Sequence, residues 1–76
     1  MPNAAQIRMA RAALGWSVRE LSDRFGVAAS TILRFETGKG GMQTGTLERI
    51  ESALAKGGVV FTPADASGGV GVRLKK

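Results

Sequence analysis

Between Gly26 and Gly41 the chain reads GVAASTILRFETGKGG. Wound as a helix at roughly 100 degrees per residue, this stretch divides into two faces. Thr31, Ile32 and Phe35, with Val27, make an apolar side that belongs in a core. Ala29, Ser30, Leu33, Arg34 and Thr37 make the other, a narrow ridge of small and hydroxyl side chains carrying one leucine and one guanidinium. Small residues let a helix approach a second surface closely. Arginine can bond guanine through two parallel donors, serine can bond a base or a phosphate, and leucine can contact a thymine methyl. The chemistry open to such a ridge is recognition of base edges in the major groove of double-stranded DNA.

Other chemistry finds little support. The chain has no cysteine and no histidine, which removes disulfides, thiolate metal sites and the commonest general base. Ser17, Ser30, Thr44 and the carboxylates stand without a histidine partner or metal-ligand spacing, and no GxxxxGK[ST] phosphate loop occurs. No catalytic residue, metal, cofactor or small-molecule substrate is expected, and the chain reads as a non-enzyme. Eleven Lys and Arg against six Asp and Glu give a net charge of +5, which favours a polyanionic partner. The opening segment, MPNAAQIRMARAALGW, carries arginines inside its apolar pattern and so fits neither a signal-peptide core nor a membrane-spanning helix. A soluble, cytoplasmic protein without membrane contact is the expectation.

Four helices must position the ridge. Asn3 and Gln6 have capping-box spacing, and Ile7, Ala10, Arg11 and Leu14 then recur on one face up to Gly15. Ser17 with Glu20 opens a second, short helix whose Val18, Leu21, Ser22 and Phe25 share a face, stopped by Gly26. The third runs from about residue 28 to 37, closed by Gly38, with Ala28 at its N-cap position, where alanine is a poor cap. The fourth runs from about Thr44 or Thr46 to Lys56, with Leu47, Ile50 and Leu54 inward. Beyond Gly57-Gly58 the helical period gives way to two β-favouring runs, Val59 to Thr62 and Val70 to Leu74, around a Pro-Ala-Asp-Ala-Ser-Gly-Gly turn. The expected fold is therefore mainly α: a compact four-helix domain over residues 1–58, followed by a β-hairpin or strand pair over 59–76. With 76 residues the core is thin and help from a second subunit is plausible.

Two short helices joined by a turn at Gly26, with Val27 packing inward, have helix-turn-helix spacing, in which the second helix is the reader. The run from Ile7 to Leu54 resembles the Cro and phage-repressor type of helix-turn-helix domain, also called lambda-repressor-like or XRE-type. The matching residues are Arg11, Leu14-Gly15, the capped second helix with Leu21, Gly26-Val27, Thr31-Ile32, Phe35-Glu36 and Gly38-Lys39. The resemblance implies that Ala29, Ser30, Leu33 and Arg34 read bases. It implies a phosphate anchored on backbone amides at the start of the second helix, at Ser17, Val18 and Arg19. It also implies that Arg11, costly on an apolar stripe by itself, pairs with Glu36. Thr37, Lys39, Thr44 and Thr46 are further candidates for phosphate contact. Two departures stand out. Val18 takes a place that is often glutamine in the family, and the loop KGGMQTGT lacks the arginine that some relatives aim at the minor groove. With few polar readers on the third helix, specificity per half-site should be modest.

Arg8, Arg24 and Lys56 are expected to be solvated charges, and Trp16, Phe25, Phe35 and Phe61 packing residues rather than base stackers. One such domain covers a half-site. A two-fold dimer sets its reading helices about 34 Å apart, one turn of DNA. Val59, Phe61, Val70, Val72 and Leu74 form an alternating apolar face that is expected to pair with a second copy, in preference to folding onto its own helices. The leading functional reading is a sequence-specific transcriptional regulator, a dimeric repressor or autoregulator of bacterial or phage type. The alternatives are a protein-interaction adaptor on the same scaffold and an antitoxin-like partner of a toxin.

Overall fold

The structure, a computed structural model, describes residues 2–75. Its elements are α1 (Ala4–Leu14), α2 (Val18–Phe25), α3 (Ala29–Glu36), α4 (Thr44–Lys56), β1 (Val59–Thr62) and β2 (Gly71–Leu74). It is the mainly helical domain with a C-terminal hairpin that the sequence pattern calls for.

Local chemistry sets the helix ends. At α1 the capping box closes in both directions: Asn3 Oδ1 accepts from the Gln6 amide at 2.9 Å, and Gln6 Oε1 accepts from the Asn3 amide at 3.0 Å. Ser17 Oγ accepts from the Glu20 amide at 3.0 Å, but Glu20 returns no bond, so the box at α2 is one-sided. Gly15 and Gly26 end their helices at φ 70° and 65°, a left-handed conformation that glycine adopts without steric cost. Ala28 precedes α3 and Gln43 precedes α4, each with no side-chain cap bond.

The core is one cluster: Ile7 and Ala10 of α1, Leu21 of α2, Val27 of the turn, Ile32 of α3, Leu47, Ile50 and Leu54 of α4, and Val59 of β1. Each helix contributes at the spacing of its inward face, and Leu14, Trp16, Phe25, Phe35 and Phe61 pack around the margin.

The C-terminal strands form a hairpin packed on the chain's own helices. β1 and β2 pair antiparallel within one chain, in the register Val59↔Leu74, Val60↔Arg73, Phe61↔Val72 and Thr62↔Gly71. Two strands alone are marginal in water and need a face to bury; α1 and α4 supply it. Val59 is 1% exposed inside this chain's own core, and Phe61 and Val72 are half-buried against it. Of the five apolar side chains assigned to a second copy, only Val70 and Leu74 stand free, at 40% and 48% exposure. Val70 also falls just outside β2.

A buried amide fastens the hairpin to the first helix. Gln6 Nε2 donates to the Thr62 carbonyl at 3.2 Å and to the Gly71 carbonyl at 3.0 Å, one from each strand. At the tip, Asp65 Oδ1 accepts from the Ser67 amide, the Ser67 hydroxyl and the Gly68 amide. The bonds from Ser67, foremost its hydroxyl, hold the Asp65 carboxyl below the ordinary aspartate range. Among the described residues no helix is long and apolar enough to cross a membrane.

Candidate nucleic-acid interface

α3 is pinned on one side and open on the other. Ile32 and Glu36 are buried, while Ala29, Ser30, Leu33 and Arg34 are all exposed; Leu33, at 53%, is far more open than a leucine of a packed helix. The four residues expected to read bases therefore share one solvent-facing ridge. Arg34 lies along the following loop. A Cβ built on Gly40 would sit in ordinary contact with its Nε and Nη2, at 3.5 and 3.7 Å. The loop is tied back by the Lys39 amide, which donates to the Arg34 carbonyl at 2.9 Å.

The remaining candidates divide. Ser17 and Arg19 are exposed at the start of α2, and the Val18 and Arg19 amides find no acceptor among the described residues. A free first turn with a guanidinium beside it can hold an anion. The Val18 side chain is half-buried against the core and can offer only its backbone. Lys39 is exposed next to the ridge. Thr37 is differently engaged: its hydroxyl donates to the Leu33 carbonyl at 2.9 Å and the Arg34 carbonyl at 3.3 Å, capping α3, so in this rotamer it has no proton left for a phosphate. Thr44 is exposed and Thr46 half-buried at the start of α4, which packs on α1, α2 and β1.

What holds the ridge in place comes from α1. Arg11 Nε meets Glu36 Oε2 at 3.0 Å and Arg11 Nη2 meets Oε1 at 2.9 Å, a two-pronged ion pair, while Nη1 donates to the Trp16 carbonyl at 3.0 Å. The hydrogen bond to Glu36 raises the Arg11 pKa, its charge adds to this, and burial opposes both. Arg8, expected to be solvated, instead donates through Nη1 to the Glu36 carbonyl. Two arginines of one helix thus grip the last residue of α3 at both its side chain and its backbone. Their spacing of three along α1 is the signal that could have placed Arg8 beside Arg11.

Arg24 is a second departure from the solvated reading. Its guanidinium carbon lies 4.2 Å from the centre of the Trp16 ring, a cation–π stack.

Compared with known families, residues 4–59 match the model described as a helix-turn-helix domain, from the first residue of α1 to the first of β1. No curated protein matches the chain.

Proposed function

The chain belongs to this helix-turn-helix domain family, whose members are DNA-binding regulators, and on that premise we propose that α3 reads base edges in the major groove of double-stranded DNA. The observation that carries the reading is the open ridge of Ala29, Ser30, Leu33 and Arg34 on a helix whose opposite face is locked by Ile32 and Glu36. Arg34 is the principal reader, suited to guanine, and Leu33 suits a thymine methyl. Arg19, Lys39, Ser17 and the free amides of Val18 and Arg19 set the register on phosphates.

The regulator acts as a two-fold dimer, as a repressor or autoregulator. One short helix spans a half-site only. β2 is bonded on one side alone, and its open edge with the exposed Val70 and Leu74 supports a contact with a second copy.

The test is fluorescence anisotropy on duplexes selected from a randomised pool, at two salt concentrations, against unrelated competitor DNA and with Arg34→Ala in parallel. Binding should resist the competitor, weaken steeply with salt, and lose preference at one base pair in the variant. Equal loss to any competitor would leave only a basic surface. No binding at low salt would return the chain to a protein-interaction role.

A further inference from the structure

On a flank that no α3 residue lines, the ends of α1, α2 and α4 converge around an open trough of about 320 Å³. Trp16, Arg24, Phe25, Ala53, Lys56 and Gly57 line it. Its floor is apolar, formed by the half-buried Trp16 and Phe25. Gly57 lets the helices draw together here: a Cβ on it would fall 2.9 Å from Leu14 Cδ1 and 3.2 Å from the Trp16 ring.

Two cations belong to this apolar trough, and neither is neutralised. The Arg24 guanidinium carbon lies over the Trp16 ring, 4.2 Å from its centre. A guanidinium on an aromatic face keeps N–H donors in its plane for a further partner. Among the described residues those donors have no hydrogen-bond acceptor, and neither Arg24 nor Lys56 has a carboxylate partner; the ion pair found is Arg11 with Glu36. Lying in the last turns of α2 and α4 suits both charges to the helix dipoles, yet leaves their donors open.

From this charge pattern we infer that the trough is a docking site for an acidic peptide segment of a partner protein, one that presents a bulky apolar side chain between carboxylates. The apolar side chain enters over Phe25 and beside Trp16, and the carboxylates meet the planar edge of Arg24 and the ammonium of Lys56. A DNA backbone would satisfy the cations but leave the apolar floor uncovered, so a peptide fits both halves of the site. With α3 not lining the trough, its occupant leaves the reading ridge uncovered. The inference stands independently of the DNA reading.

Trp16 is the sole tryptophan, and the chain has no tyrosine, so its emission reports on the trough directly. The experiment titrates the full chain with a blocked Glu-Glu-Phe-Glu-Glu peptide, with Lys-Lys-Phe-Lys-Lys and Glu-Glu-Ala-Glu-Glu as comparisons. A saturable change in Trp16 emission is expected with the first peptide alone. Lys56→Glu should weaken that binding about tenfold or more, and Arg24→Gln should weaken it as well, whereas Arg34→Ala should bind the peptide as the parent does. No saturable change, an equal response to the basic peptide, or a Lys56→Glu variant that binds unaltered would each overturn the assignment. So would loss of duplex affinity in Lys56→Glu with no peptide response in the parent, which would make the trough a phosphate contact.

Discussion

Arg11 and Glu36, 25 positions apart, meet through two N–H···O bonds of 3.0 and 2.9 Å, and the same guanidinium holds the Trp16 carbonyl. One side chain therefore joins the body of α1, the turn behind it and the end of α3. The Glu36 side chain is only 2% exposed and that of Arg11 22%, so the Glu36 charge has little water to fall back on if Arg11 is lost.

Arg11→Ala should accordingly cost about 3 to 5 kcal/mol, the usual effect of leaving a buried charge without its partner. In a domain whose total stability is on the order of 5 to 15 kcal/mol, that removes a large share. Urea unfolding followed by Trp16 fluorescence measures it. Pairing Arg11→Ala with Glu36→Gln should cost less than the sum of the single changes, and an unchanged melting midpoint in Arg11→Ala would show that the pair contributes nothing.

Ala28 leaves the start of α3 without a side-chain acceptor. Its extended ψ of 136° approaches the geometry of an N-cap, so Ala28→Ser should stabilise the fold by about 1 kcal/mol. Conversely, Ser17→Ala should cost about as much at α2, because it removes the bond to the Glu20 amide. Thermal melts of both variants should move in opposite directions.

Gln6→Glu tests the attachment of the hairpin. The substitution keeps an oxygen for the Asn3 amide but replaces the amide that donates to Thr62 and Gly71 with an acceptor, facing two carbonyls. A loss of about 1 to 3 kcal/mol is expected. Amide exchange should accelerate first in β1 and β2. Uniform acceleration across all the helices would mean that the hairpin does not open separately from the core.

The hairpin tip should respond to acid. The Asp65 carboxyl titrates below its ordinary range because its charged form accepts three bonds from Ser67 and Gly68. A depressed folded-state pKa gives stability that is present above the unfolded-state value and is lost as pH falls through the folded one. The Ser67 and Gly68 amide resonances should therefore shift below the usual aspartate pKa, and Asp65→Ala should abolish that step.

The elements were legible because their signals are local. Asn3 with Gln6, Ser17, Gly15, Gly26 and Gly57 lie within a turn of the boundaries they set, and the spacing of Leu47, Ile50 and Leu54 marks the buried face of α4. Contacts across the chain carry no such period. Helical spacing places Arg11 on an apolar stripe but cannot name a partner 25 positions on; only the family resemblance points to Glu36. Arg8 on the Glu36 carbonyl, Arg24 over Trp16 and Gln6 on the two strands all depend on how helices cross. The alternation of Val59, Phe61 and Val72 shows that one face of the strands is apolar. It cannot show which molecule covers that face, and here the chain covers it itself. Exposure of Ala29, Ser30, Leu33 and Arg34 follows from the wheel, whereas what those side chains meet depends on a surface outside the molecule.

The bonds from Gln6 reach 56 and 65 residues along the chain, and Val59 completes the core around Ile7 and Ala10. During synthesis α1 thus leaves the ribosome before the strands that complete its cover exist. A nascent chain halted before residue 59 has an incomplete core and an unattached first helix, however well its helices are capped. Cooperative folding must wait for the strands to emerge, and products interrupted before them are left open to proteolysis.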